Sequence, residues 1–196
     1  MKKIIDLDKW LFLKVNRDCQ NPFFDKLMPI LRDPLTWVPL YIVLIILVVY
    51  NFGKKGWWLI VYGVITVGIT DSISSRIFKP LVGRPRPCCD PEFGAQVHLL
   101  ANCGTGGGFT SAHAANHFGL AMFLFLTLRS FTGNWIYLLF LWAAIICYAQ
   151  VYVGVHYPFD ILAGAILGCF VAWITATIFT KRNGPLVKLD RKASYA

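Results

Sequence analysis

Residues 154–160, GVHYPFD, place a histidine and an aspartate four positions apart, around a proline and between two strongly apolar segments. Titratable groups between membrane-grade segments are costly and mark function. His156 can act as a nucleophile. The Asp160 carboxylate can reach back to an imidazole N–H, which fixes the tautomer and raises basicity; spacing alone leaves open whether it holds His156 or a neighbour. Two other stretches suit the same chemistry. Lys79, Arg84 and Arg86 form a cationic cluster stiffened by Pro80, Pro85 and Pro87. Arginine grips phosphate oxygens as a fork, and lysine acts as a point charge. Ser111 and His113 open a helix, where free backbone N–H groups and the helix dipole favour an anion and the hydroxyl adds a donor. Two histidines and three cations make a phosphoryl-transfer site that needs no metal or other cofactor. One histidine attacks, and the other protonates the leaving oxygen.

Composition says where such a site sits. The chain has 196 residues, 57% of them hydrophobic and only 15% charged, with a mean hydropathy of +0.57. Soluble domains average about 45–50% apolar and about 25% charged, so the reading is an integral membrane protein. The net charge of +9 fits anchoring of cytoplasmic loops. No basic run with interleaved aromatics points to nucleic acid. Lys2, Lys3, Asp6, Asp8 and Lys9 make the start too charged for a secretory signal, so targeting falls to the spans themselves. The six cysteines form no CxxC pair, which argues against a zinc ribbon or thioredoxin motif.

Periodicity predicts an all-α bundle of five transmembrane helices, at about 35–50, 57–78, 111–128, 135–152 and 161–179. Residues 1–33 precede the bundle and residues 181–196 follow it as a basic tail. In the first segment Ile4, Leu7, Leu11 and Val15 share one helical face, flanked by Trp10 and Phe12. That face suits either the membrane interface or the protein's own surface. A second short helix is expected from Pro22, bounded by Pro29 and Pro34. A sixth span at 23–31 would have to contain Asp25, Lys26 and Pro29. The loop 79–110 is long enough to be functional. With five spans, the Lys54-Lys55 turn, the Arg129 turn and the basic tail share one face, which the positive-inside rule makes cytoplasmic. The long loop and GVHYPFD then lie on the other face. The cations of the N-terminal segment weigh against this orientation.

The residues also carry a family likeness. The chain resembles the type 2 phosphatidic acid phosphatases, the membrane branch of a superfamily that includes vanadium haloperoxidases. That family's pattern is K-x6-RP, then PSGH, then SR-x5-H-x3-D. Here it appears as Lys79 through Arg86-Pro87, then Thr110-Ser111-Ala112-His113, then Ala149-Gln150 with His156 and Asp160. Three motifs in order at the right spacing are far more specific than one short match. The resemblance implies that His156 becomes a phosphohistidine, that Asp160 orients it, and that His113 is general acid and then base. It implies that Lys79, Arg86, Ser111 and the Ala112 N–H hold the phosphate. The departure is Gln150 where the family has arginine; a lost charge-assisted contact costs about 1.5–3 kcal/mol. Arg84 is the expected substitute. The function implied is dephosphorylation of an isoprenyl diphosphate, phosphatidylglycerol phosphate, phosphatidate or phosphorylated lipid A. The setting implied is a bacterial inner membrane, with the site facing the periplasm or exterior. Phosphate transfer to another lipid, and anionic-lipid binding without turnover, remain as alternatives.

Other readings stand beside these. His113 and His117 have the spacing of a zinc pair but no evident third ligand; His117 otherwise reads as a buried support. Asp71 and Arg76 either pair within the bundle or meet substrate. Cys88 or Cys89 is expected to bond Cys103 if the loop is extracytoplasmic, with free thiols as the other outcome. The glycines at 104 and 106–108 read as slack in the loop.

Overall fold

The computed structural model describes residues 2–104 and 106–189, and all regular structure among them is helical. Helices α1 (Lys2–Asn16) and α2 (Pro22–Arg32) precede a 3-10 turn (Pro34–Trp37) that runs into α3 (Val38–Phe52). Helix α4 (Lys54–Ser72) continues through a π-helical turn (Ile73–Phe78) into the one-turn α5 (Lys79–Val82). After the long loop come α6 (Ala112–Thr132), a 3-10 turn (Gly133–Tyr137), α7 (Leu138–Tyr152) and α8 (Pro158–Asn183). Local chemistry sets these boundaries. The Asn21 side chain accepts the Phe23 and Phe24 N–H groups at the start of α2, a standard N-cap. Gly53, at φ +53°, is the sole residue between α3 and α4, so the turn is tighter than the predicted 51–56. Pro29 lies inside α2 rather than bounding it.

Among the described residues, four stretches are long and apolar enough to cross a membrane: Pro34–Phe52, Lys54–Cys89, Ala112–Tyr152 and Pro158–Asn183. The third folds back on itself as α6 and α7, with Phe118 against Phe140 and Phe125 against both Tyr137 and Phe140. Ile42, Ile46, Val64, Leu141, Ile166 and Phe170 point outward and exposed, as lipid-facing residues do. The sixth span considered at 23–31 is absent from these stretches. Helix α2 has 11 residues, or about 16 Å, too short to cross. It packs Met28, Phe24 and Leu27 against Ala149 and Tyr152 of α7 and Val153 just beyond it.

Helix α1 turns a different face inward from the apolar one. Asp8, Phe12 and Asn16 are buried, while Ile4, Leu7 and Trp10 are about half exposed. The polar pair is satisfied: Asn16 donates to the carbonyls of His98 and Tyr152 and accepts the His98 N–H. Ile4, Leu7 and Trp10 thus remain free for an interface, while Val15 packs on buried residues and α1 clamps the loop by its polar atoms. The loop is stapled by a Cys88–Cys103 disulfide, with Cys89 free.

Helices α6 and α8 make the closest crossing. A Cβ on Gly168 would run into the Ala115 carbonyl oxygen, and one on Gly164 into that of Ser111. Small residues let membrane helices approach at this range. The crossing sets the start of α6 against the start of α8. At the far end of the bundle, Lys55 bonds the Pro185 carbonyl and Lys188 lies over Phe131. The Lys54-Lys55 turn, the end of α6 and the tail therefore share that end. Arg191 and Lys192 of the predicted tail lie outside the described residues. Overpacking a close contact costs about 1–3 kcal/mol. Gly168→Ala is expected to lower the thermal unfolding midpoint in detergent. Gly68→Ala, whose Cβ would meet nothing within 4 Å, is expected to leave it unchanged.

Candidate active site

The site is built where α8 begins. His156 is 2% exposed, in the short connection between α7 and α8. Its Nδ1 faces Asp160 Oδ2 at 3.6 Å, beyond hydrogen-bond reach, and has no other partner. Proximity to that carboxylate favours a proton on Nδ1 and a free lone pair on Nε2. Burial lowers the pKa of His156, the Asp160 carboxylate pulls it back up, and Arg86 and Lys79 lower it again. The neutral imidazole is therefore favoured.

Asp160 is fully buried and held from two sides. Oδ2 accepts the Tyr157 N–H at 3.0 Å, and Oδ1 accepts from Arg84 Nη1 at 2.9 Å. The same guanidinium donates to Asp8 Oδ2 at 2.6 Å and lies 4.1 Å from the Tyr157 ring centroid. Asp8 Oδ1 in turn takes the Phe159 N–H at 2.9 Å. Burial raises the Asp8 carboxyl above its usual range, against the opposing pull of Arg84 and that N–H. Arg84, expected as the substitute phosphate cation, is thus committed to two buried carboxylates.

Lys79 and Arg86 are half-buried, and neither forms an ion pair with any described residue. Glycines hold them in place. A Cβ on Gly107 would crowd the Lys79 carbonyl, and one on Gly108 would crowd Asp160 Oδ2 and the Arg86 backbone. Gly108 N–H bonds the Arg84 carbonyl at 2.8 Å, and Arg86 Nε bonds that of Gly106 at 3.1 Å. Within the glycine run read as slack, Gly107 and Gly108 pack closely on the cationic segment, while a Cβ on Gly106 would meet nothing within 4 Å.

Ser111 caps α6, its oxygen accepting the Ala114 N–H, so its own hydroxyl proton stays available. Its N–H donates to the Asp160 carbonyl at 3.0 Å. Ala112 and His113 are the first residues of α6, and His113 lies within electrostatic reach of His156. His117 takes a supporting place, with Nδ1 2.8 Å from the His113 carbonyl and its ring edge-on to Trp142. Asp71 accepts from Asn116 at 3.3 Å and forms no ion pair with Arg76. The one metal-capable group of three among the described residues is Cys88, Cys89 and Cys103, two of them in the disulfide. An apolar cavity of about 720 Å³ starts at Ala112 and His113 and runs between α3, α4 and α6 past Val48, Leu59 and Leu124.

Gln150 is fully buried in the last turn of α7. Its Oε1 accepts from Arg32 Nε at 3.3 Å, and its Nε2 has no partner. Arg32, one of the cations of the N-terminal segment, is a neighbour of the third motif that the motifs themselves do not mark. The available signal was an uncharged residue at the arginine position of that motif.

Comparison with known proteins places the chain in a family. The PAP2 superfamily pattern matches residues 56–184. A protein of Bacteroides thetaiotaomicron named lipid A 4'-phosphatase is 36% identical over 173 residues, 86% of this chain and 75% of that protein. One of the same name in Porphyromonas gingivalis is 32% identical over 183 residues, 91% and 75% of the two chains. The crystal structure of a transmembrane PAP2 type phosphatidylglycerolphosphate phosphatase from Bacillus subtilis superposes with a TM-score of 0.69 at 19% identity, covering 93% of this chain and 89% of that one, which extends the likeness to the fold. This chain, with its membrane-spanning helices and its three motifs gathered at one end of them, belongs to the PAP2 superfamily and is an integral membrane phosphatase.

Proposed function

We propose that the protein hydrolyses a lipid phosphate or diphosphate through a phosphohistidine on His156, at the extracytoplasmic face of a bacterial inner membrane. The observation that carries this reading is a buried histidine with a carboxylate on its Nδ1 side and two cations near it, Lys79 and Arg86, that have no acidic partner of their own. Such a cluster lowers its energy by taking an anion. His156 Nε2 attacks phosphorus, the bond to the lipid oxygen breaks, and His113 gives that oxygen a proton. Water then attacks the phosphohistidine with His113 taking its proton, and inorganic phosphate leaves. Lys79, Arg86, the Ser111 hydroxyl and the Ala112 N–H hold the phosphoryl oxygens. Arg84 and Asp160 act together as the mount for His156.

The cavity beside His113 supplies a place for tails. Its length along α6, from His113 to Leu124, is about 16 Å, enough for most of an acyl chain. Among the candidate substrates a lipid A phosphate is favoured by the names of the two curated relatives. The proposed orientation, with five crossings, is supported by the Lys54-Lys55 turn and tail sharing the end of the bundle away from His156.

Purified protein in detergent is expected to release phosphate from lipid A and from phosphatidate without added metal, and to yield acid-labile phosphate on histidine when quenched. His156→Ala is expected to abolish both. No release from any lipid phosphate, with His156→Ala indistinguishable from wild type, would leave lipid binding as the function. Because burial and the two cations lower its pKa, isotope-labelled His156 is expected to titrate below the ordinary value of about 6.5. It stays neutral as pH falls past that point, and an NMR titration reads this directly. Gly68 lines the cavity. Gly68→Phe is expected to raise KM several-fold for a long-chain phosphatidate while leaving a water-soluble aryl phosphate unaffected, as steady-state kinetics would measure.

A further inference from the structure

We infer that Arg32, delivered from the end of α2 and held by Gln150, is a phosphate-binding catalytic residue that supplies the charge missing from the third motif; the inference rests on the phosphatase reading above. Arg32 ends α2 and is half-buried, and it makes no ion pair with any described residue. Asp33, its neighbour, spends its carboxylate on the Leu35 N–H. Among the described residues, the one hydrogen bond of the Arg32 guanidinium is Nε to Gln150 Oε1 at 3.3 Å. That contact orients the fork, and neither terminal nitrogen bonds an acceptor among those residues.

Two features point the pair at an anion, an unpaired buried donor and an excess of nearby positive charge. Gln150 Nε2 is wholly buried without a partner, and an unmet buried donor is destabilising, a cost an incoming oxygen would remove. Arg32 lies within electrostatic reach of both Arg86 and His113, which places a third uncompensated cation beside the two already described. Burial and the Arg86 guanidinium both lower the pKa of Arg32, so the cluster is repulsive until a negative charge enters. An arginine at 150 would sit within reach of the same cations. Glutamine there keeps the hydrogen-bonding position, accepts from Arg32 and adds no further repulsion. The charge is thus relocated from α7 to α2 rather than lost, and Arg84, neutralised by Asp8 and Asp160, is not the residue that carries it.

The test measures phosphate release from dioleoyl phosphatidate in detergent micelles, together with inorganic phosphate binding read by tryptophan fluorescence. Arg32→Ala is expected to lower kcat/KM and weaken phosphate binding, each by about 10- to 100-fold, with the thermal unfolding midpoint unchanged. Guanidinium added to Arg32→Ala is expected to restore part of the rate, and Arg32→Ala combined with Gln150→Arg to restore most of it. Wild-type rate and phosphate affinity in Arg32→Ala would overturn the inference, as would a loss that neither guanidinium nor Gln150→Arg recovers. Wild type that binds phosphate through Arg32 but turns over no lipid phosphate would sink the phosphatase reading and the catalytic role, and leave Arg32 as a phosphate-binding residue. Wild type that does neither would overturn both.

Discussion

One partly buried arginine between two buried carboxylates holds this end of the molecule together. Arg84 joins Asp8 of α1 to Asp160 of α8, and it sits in the loop that both helices clamp. Each carboxylate then takes a backbone N–H from the turn that carries His156, Asp8 from Phe159 and Asp160 from Tyr157. Removing one partner of such a pair is far more damaging than its net contribution suggests, because an uncompensated charge stays buried. The network gives α1 a purpose beyond lying at an interface. Its polar face closes the site from the side that the membrane helices leave open.

The rest of the site reads as charge sorted by availability. Arg84 is neutralised, and its work is mechanical. Lys79, Arg86 and Arg32 are half-buried without acidic partners, and their mutual repulsion is a standing demand for an anion. The close crossing at Gly164 and Gly168 brings the N-terminus of α6, with its free N–H groups and dipole, to the same place. The glycines at 107 and 108 let the cationic segment approach Asp160. Backbone packing without side chains is thus what compresses the three motifs into one volume, while the apolar cavity keeps a lipid-sized space beside His113.

Much of this was legible in the sequence, and for definable reasons. Apolar runs of span length and punctuating glycines and prolines gave the helices, because a bilayer permits little else. Motif spacing singled out His156, Asp160, His113, Lys79 and Arg86 because each lies at a helix start or end, where local sequence fixes position. The reading of α1 missed its inward face because an amphipathic pattern shows where apolar residues lie. It does not reveal that Asp8 and Asn16 would find partners in a loop about 80 residues away.

The sequence by itself determined the membrane class, the all-helical fold and the three motifs, since hydropathy and short-range spacing are properties of the chain alone. Only the tertiary structure decided which cation serves which partner. Arg84 and Arg86 are two residues apart and chemically alike in sequence, yet one is enclosed by Asp8 and Asp160 and the other is left free. Arg32 carries no motif at all, and it meets Gln150 across a separation of 118 residues. Charge pairing depends on distance in space, and for residues this far apart in the chain that distance exists only once the helices have packed.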